Sequence, residues 1–214
     1  MELKFLSKAE LPGKVWQFDF ERPNAFTYEA GDYSEISIPD IGRRWLSLSS
    51  APSEPKLSFI TRNSGSTFKS ALFALSPCDS VLASPAIGTF NLPKSPKGSL
   101  IFVGGGLGIA PVRSIITEVK LSEIRFKSDL NLIYGAGDGE HLFMEDMKQP
   151  GLNITPLTRR VNIDDLKTIP GWQDSTIYLS GPEAMSIELE QALLGLGVPR
   201  IQIKLCYFPG YQLF

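Results

Sequence analysis

The hydrophobic period of this chain changes once, near residues 94–98, and the change restricts the fold to two units of different kinds. From Lys4 to about Pro93 the sequence is a series of short β-like runs separated by turn residues. Residues 15–20 alternate in character and end at Pro23-Asn24; 33–38 follow Gly31-Asp32; 45–49 follow Gly42; 57–61 and 81–83 complete the series. Strands at this spacing, punctuated by Gly, Pro and Asn, predict an antiparallel barrel. One helix interrupts them, with Phe68, Ala71, Leu72 and Leu75 on a single face. Beyond the change, residues 99–103, 130–134, 176–179 and 201–205 are apolar runs of strand length. Between them, Val112, Ile115, Ile116 and Val119 mark one helix, and Met185, Leu189, Ala192, Leu193 and Leu196 mark another that ends at Gly197. Buried strands alternating with amphipathic helices imply a parallel sheet covered on both faces. The expected architecture is two-domain, an antiparallel Greek-key β-barrel over residues 1–96 followed by a doubly wound, Rossmann-like α/β domain over residues 97–214.

Charge and cysteine usage exclude several classes of function. Lys+Arg 21 against Asp+Glu 23 leaves a net charge of −2, with no basic stripe to track a phosphate backbone or an anionic membrane. Cys78 and Cys206 are the only cysteines, which excludes a disulfide framework and any four-cysteine metal or iron–sulfur site within the chain. No metal is expected, and the setting expected is reducing and cytoplasmic. Residues 1–4 carry an early acid and open no signal-peptide-like apolar run. The most apolar stretch, 100–116, contains Gly104, Gly105, Gly106, Gly108, Pro111 and Arg113, which fits a strand, loop and helix rather than a membrane span.

Three strands of the second half run into small residues: Gly104-Gly105-Gly106, Gly135-Ala136-Gly137 and Ser180-Gly181-Pro182. Ligands of open α/β sheets lie beyond the carboxyl ends of the strands. Glycines there admit a nucleotide close to the backbone, and the next helix offers unpaired N–H groups to phosphate. Pro111 suits the first turn of such a helix, where its missing N–H costs little. One glycine-rich turn serves tight strand–helix packing equally well; three along one edge point to a nucleotide. In the first half, Arg43-Arg44 lies on an otherwise apolar, hydroxyl-rich strand, where one arginine can pair with phosphate and the other reads as a solvated edge. Gly65-Ser66-Thr67 precedes the helix at Phe68, and Ser66 or Thr67 is a good N-cap. His141 sits in a polar loop and is expected to be solvated.

Taken in order, these segments resemble the ferredoxin–NADP reductase family, over nearly the whole chain. Arg44-Trp45-Leu46-Ser47 is similar to the family's Arg-x-Tyr-Ser/Thr flavin motif, and Gly65-Ser66-Thr67 to its pyrophosphate-holding motif. Residues 84–90, Ser-Pro-Ala-Ile-Gly-Thr-Phe, resemble the segment before the domain boundary. Gly105-Gly106-Leu107-Gly108-Ile109-Ala110-Pro111 resembles the nicotinamide-nucleotide loop, Ser180-Gly181-Pro182-Glu183-Ala184-Met185 a Cys-Gly-Pro-x-x-Met motif, and Phe208-Pro209-Gly210-Tyr211 an aromatic tail.

The resemblance implies a flavin-binding barrel holding FAD rather than FMN, with NADH or NADPH as co-substrate. It gives Arg44, with N–H groups around Gly65, Ser66 and Thr67, to the flavin pyrophosphate. Leu46 and Ser47 fall to the ring, with Ser47 near flavin N5. Gly105, Gly106, Gly108, Pro111, Gly181, Pro182 and Met185 fall to the nicotinamide nucleotide. Ser47 and Ser180 are the expected catalytic pair. Strand alternation places Arg44 and Leu46 on one face and Ser47 on the other, so a bulge or a backbone contact is needed for all three to touch flavin. Two departures stand out: Leu46 replaces the tyrosine that stacks on the ring, and Ser180 replaces the cysteine beside the nicotinamide. Cys206 falls near a position where many relatives carry an acid and reads as a buried structural thiol.

The activity so implied is hydride transfer from NAD(P)H to flavin, followed by electron delivery to an external acceptor: ferredoxin, flavodoxin, another redox protein or a small molecule. Positioning dominates such a step, which fits the lack of an acid–base dyad. Asp138, after Gly135-Ala136-Gly137, favours the ribose hydroxyl of NAD, whereas Arg159-Arg160 would suit the 2′-phosphate of NADP. Rival readings are an electron-transfer subunit of a larger redox complex, a non-catalytic flavin- or nucleotide-binding regulatory module, and a nucleotide-binding scaffold without flavin. The aromatic residues Tyr207, Phe208, Tyr211 and Phe214 either cover the flavin or belong to the core.

Overall fold

A computed structural model describes residues 1–93, 98–122 and 129–206. The domain boundary expected at 96/97 and the aromatic tail from Tyr207 to Phe214 lie outside the described residues.

The first half forms strands β1 (Glu2–Leu11), β2 (Val15–Glu21), β3 (Tyr33–Ile38), β4 (Gly42–Ser47) and β5 (Lys56–Arg62), helix α1 (Thr67–Ala74) and strand β6 (Ser80–Ala83). They pair antiparallel in the order β4-β3-β6-β1-β2-β5. The two ends of this sheet meet where Leu48 bridges Phe59 and the Ser49 N–H donates to the Ser58 carbonyl at 2.8 Å, curling it into a barrel. Alternation sends Phe5, Phe18, Phe20 and Phe59 inward, where Phe20 meets Phe5 and Phe59 edge-on at 5.6 and 5.9 Å. Helix α1 covers the barrel with the buried Phe68 and Leu72, two residues of the face read from the sequence. The long strand β1 has no clear sequence signal, because its first half alternates Glu2, Leu3, Lys4 and Phe5 and then turns polar.

The second half forms β7 (Leu100–Gly105), α2 (Ile109–Leu121), β8 (Leu130–Gly135), α3 (Met144–Met147), β9 (Leu152–Leu157), α4 (Ile163–Lys167), β10 (Thr176–Ser180), α5 (Glu183–Gly195) and β11 (Ile203–Cys206). All pairings are parallel, in the order β11-β10-β7-β8-β9. On one face Phe102, Leu132 and Tyr178 pack with Val112, Ile115 and Ile116 of α2; on the other, Ile101, Val103, Ile133, Ile177 and Leu179 pack with Leu189 and Leu193 of α5. Coverage of both faces is the reason these strands are continuously apolar. The last strand begins at Ile203 rather than 201. Residues Arg200–Gln202 make a 3-10 turn first, which leaves Ile201 84% exposed. Strand β9 is silent in the sequence because it is a half-exposed edge interrupted by Pro156, a residue tolerated at edges.

The two halves are bolted together. Arg113 of α2, nearly buried, forks onto Glu54 of the barrel at 2.7 and 2.9 Å and donates to the Ser49 carbonyl at 2.7 Å. Beside it the Ser114 hydroxyl donates to the Ser50 carbonyl at 2.6 Å. Behind the sheet, Tyr178 donates to the Asn91 carbonyl at 2.9 Å, and Asn91 in turn donates to Asp32 at 2.8 Å. Among the described residues, no helix is long and apolar enough to cross a membrane.

Candidate functional site

The carboxyl ends of β7, β8 and β10 open onto one cleft of about 460 Å³, and the barrel supplies its other wall. That volume falls in the range of small-molecule sites, roughly 300–1,000 Å³. From the barrel come Trp45, Leu46 and Ser47 of β4 with Ile60, Thr61 and Arg62 of β5. From the α/β sheet come Gly105, Gly106 and Gly108, the loop starting at Gly135, and Ser180, Gly181, Pro182 and Met185.

The glycines divide by what surrounds them. A Cβ on Gly108 would stand 2.3 Å from the Ser180 carbonyl oxygen, so the β7 and β10 turns touch through backbone. Gly105 and Gly181 have no more room, each facing the Met185 methyl at 2.8 and 2.6 Å. These three serve packing. Gly106 has a left-handed φ of 53° with nothing within 4 Å of a Cβ, and Gly137 is similarly open. Backbone thus faces free space at the start of α2, as close approach of a nucleotide requires. Pro111 is buried in the first turn of α2 and lies outside the cleft lining, so its part is to shape the helix start.

At the junction of the two walls, the Ser47 hydroxyl lies 3.8 Å from the Cys206 sulfur. Cys206 pairs with Ser180 in the β10–β11 register. The expected pair Ser47 and Ser180 is therefore brought together around Cys206, giving a hydroxyl–thiol–hydroxyl row at the floor of the cleft. Cys206 is buried, in keeping with its reading from the sequence, yet it is also part of the site lining. Burial pushes its thiol pKa up, so the sulfur is held neutral.

The β3–β4 register runs unbroken from Tyr33↔Ser47 to Ile38↔Gly42, so the strand does not bulge in that pairing. Leu46 consequently packs into the barrel core with Phe68 and Phe59, showing the cleft only its edge. Trp45 is the aromatic ring of this wall. It is 38% exposed and stands edge-on to Tyr33 at 5.4 Å, a contribution that sequence reasoning missed.

Arg44, Gly65, Ser66 and Thr67 fall outside the cleft lining, on the barrel beside it. Arg44 is exposed and lies over the Phe68 ring at 5.7 Å, next to the start of α1. Ser66 caps that helix, its hydroxyl accepting from the Lys69 N–H at 3.3 Å, so the capping role is filled. Arg43 is the solvated edge arginine, paired with Glu35 at 3.5 Å. Arg44 has no carboxylate partner among the described residues; one of its guanidinium nitrogens donates to the Arg43 carbonyl at 2.7 Å, and no charge of opposite sign holds the group.

The far end of the cleft carries charge of both signs. Asp138 meets Arg62 at 3.5 Å, while Arg159 forks onto Asp165 at 2.5 and 2.7 Å. The Arg159 hydrogen bond holds the Asp165 carboxyl below its ordinary range. Arg160 lines the cleft without an acidic partner among the described residues. The Tyr134 hydroxyl, its pKa pushed up to about 12 by burial, donates to the Gly106 carbonyl at 3.2 Å and accepts the Leu142 N–H. His141 is not the solvated side chain expected: its Nε2 lies 3.1 Å from both the Tyr134 and Leu157 carbonyls and ties the loop to two strand ends. No cluster of metal-ligating side chains occurs among the described residues.

The site fits a planar ring plus phosphates on the barrel side and a dinucleotide on the sheet side. An arginine without a carboxylate partner among the described residues and a capped helix start flank one part, and open glycine backbone at a helix start flanks the other. No protein-family model matches the chain. In sequence it is 29% identical over 164 residues to one component of the Na(+)-translocating NADH-quinone reductase of Yersinia enterocolitica. A similar match, 28% identical, is to the same component in Methylococcus capsulatus. The first match covers 66% of this chain and 40% of the relative, so the chain spans well under half the length of that protein. In structure it is similar to a ferredoxin NADP+ reductase from Neisseria gonorrhoeae with bound FAD and NADP, with a TM-score of 0.77 and 22% identity over 96% of this chain and 97% of that one. It is also similar to the FAD/NAD-binding domain of a nitric oxide dioxygenase from Vibrio cholerae, with a TM-score of 0.80 and 20% identity over 97% and 98% of the two chains. The barrel followed by a parallel α/β sheet is the fold these proteins share.

Proposed function

We propose that this chain, which has the ferredoxin–NADP reductase-like fold, is a flavin-dependent NAD(P)H oxidoreductase that delivers electrons to an external acceptor. The observation that carries the reading is the single cleft on which β4 and β5 of the barrel and the glycine turns after β7, β8 and β10 converge. FAD, when bound, supplies a ring that accepts a hydride from a reduced nicotinamide and releases electrons singly or in pairs. Everything else is positioning by the protein. Arg44 neutralises phosphate outside the cleft, with N–H groups near Gly65, Ser66 and Thr67. Leu46, Trp45 and Ser47 set the depth of the ring. Gly106, with Pro182 and Met185, seats the nicotinamide nucleotide against it, on turns whose close packing Gly105, Gly108 and Gly181 permit. The Ser47–Cys206–Ser180 row offers neutral donors where the two ligands meet, and no residue there is asked to take up a proton.

NADH is the coenzyme this reading favours. Asp138 and Glu140 line the far end of the cleft, where they can accept from ribose hydroxyls, and the Arg159 fork is committed to Asp165 and so is not offered to a 2′-phosphate. The exposed free thiol of Cys78 suits a reducing compartment, and we place the protein in the cytoplasm. The acceptor is a redox protein such as ferredoxin or flavodoxin, or a small molecule. The match to a component of a sodium-translocating quinone reductase favours a second reading, in which the chain acts as an electron-transfer module of a larger assembly. To test both, the FAD-loaded chain is given NADH with ferricyanide as an artificial acceptor. Flavin-dependent oxidation of NADH is expected. Tight flavin binding with no oxidation would instead mark a regulatory module.

A further inference from the structure

Lys69 is a buried charge with no counter-charge among the described residues. It sits in the first turn of α1 and is 3% exposed. Its ammonium donates to the Thr61 hydroxyl of β5, and no carboxylate among the described residues pairs with it. The charged group that faces it is another cation: Arg44 of β4 pushes its pKa down further, in addition to the larger effect of burial. The two cations share one aromatic ring, the Lys69 nitrogen 5.9 Å and the Arg44 guanidinium 5.7 Å from the centre of Phe68. Removing an ammonium from water without a carboxylate is strongly unfavourable, and placing it within reach of a guanidinium adds repulsion. Both costs are offset if an anion completes the group. Thr61, the one hydrogen-bond partner of the ammonium among the described residues, lines the cleft itself, so the cationic pair adjoins the ring's compartment.

We infer that Lys69 is a second phosphate anchor, which together with Arg44 binds the phosphate groups of the flavin nucleotide. The assignment rests on the flavin reading above and adds a residue to it. Ser66, in this arrangement, orients the anchor by capping the helix turn on which Lys69 stands. A lysine rather than a hydroxyl here makes affinity depend on the charge of the ligand as well as its shape.

The test titrates the apo form of the full chain with FAD, FMN and riboflavin, in wild type and Lys69→Met. Methionine keeps most of the length of the side chain without the charge. Loss of one charge-assisted hydrogen bond lowers FAD affinity by about tenfold to a hundredfold, and riboflavin affinity changes by less than about threefold. FAD bound equally well by wild type and variant, or riboflavin weakened as much as FAD, overturns the assignment while leaving the flavin reading intact. Wild type that binds none of the three overturns both. Should Lys69→Met fail to fold, the wild-type chain alone decides. Near pH 8, FAD binding is expected to take up protons, seen as binding heats that differ between two buffers of unlike ionisation enthalpy, and riboflavin binding is not. Equal heats in both buffers for FAD overturn the assignment.

Discussion

Replacing Gly108 by alanine tests whether the two glycine turns touch as described. The new Cβ would lie 2.3 Å from the Ser180 oxygen, 2.4 Å from its carbonyl carbon and 2.5 Å from the Gly181 nitrogen. All three are backbone atoms, so no side chain can swing aside, and the β7 and β10 turns must part by roughly 1 Å. Overpacking costs about 1–3 kcal/mol, and rigid backbone on both sides puts this substitution near the upper end, about 3 kcal/mol. For a chain of this size that is a fall of about 6–12 °C in Tm. The same displacement moves the nicotinamide seat relative to the ring, and a shift of about 1 Å costs on the order of a hundredfold in rate. Two neighbours grade the effect. Gly106→Ala meets no atom but is held at φ 53°, so it costs about 1–2 kcal/mol of backbone strain. Gly137→Ala has open space and falls within about 0.5 kcal/mol of wild type. Differential scanning calorimetry and rapid-mixing reduction by NADH read the two consequences. A Gly108→Ala protein that melts with wild type and is reduced at the wild-type rate would refute the argument, because the turns would not then be in contact.

Asp165→Asn releases the Arg159 fork, so NADPH use should rise relative to NADH; an unchanged ratio of kcat/KM values for the two coenzymes would show that Arg159 does not reach the ribose. Arg113→Met strips the buried fork from Glu54 and leaves the Ser49 carbonyl unpaired, which should cost about 3 kcal/mol in urea unfolding. A loss under about 1 kcal/mol would mean that the Arg113 fork contributes no more than an exposed ion pair and that the remaining contacts hold the halves. Lys69 has its pKa lowered to about 8 from an ordinary 10.5, chiefly by burial and then by Arg44. Between those values the unfolded chain binds a proton that the folded chain does not, so the stability of the apo protein should rise with pH, by at most about 1.4 kcal/mol per unit. Below pH 8 the contribution is flat and unfavourable. The rise is read as the difference in urea midpoint between wild type and Lys69→Met, and parallel curves from pH 7 to 10 would contradict it.

Much of this site could be read in the chain, because turn chemistry is local. Gly104 to Gly108, Gly135 to Gly137 and Ser180 to Pro182 each announce a strand end, and regular βα alternation is enough to bring such ends to one edge. The barrel was legible from punctuation, and the Arg43-Arg44 pair stood out on an apolar strand, though which of the two is solvated could not be read from the residues alone. What remained hidden depends on contacts distant in sequence. Ser47 and Cys206 are 159 residues apart, and no period in either half signals that their strands end face to face. Lys69 reads as the polar side of an amphipathic turn; only barrel closure turns it inward onto Thr61. Trp45 and Leu46 exchange importance for a similar reason. Their alternation is plain in sequence, but which face looks into the barrel is set by the register with β3. The loop role of His141 needs two strand ends at once, Tyr134 and Leu157, and could not be inferred from its polar neighbours.

The most direct test of a shared cleft is anaerobic mixing of NADH with the FAD-loaded chain while the flavin absorbance is followed. Wild type should bleach in a single turnover, and Gly108→Ala should keep its flavin while bleaching on the order of a hundredfold more slowly. A wild-type protein that holds FAD and binds NADH yet stays yellow would contradict the account, since two ligands in that cleft would then not meet.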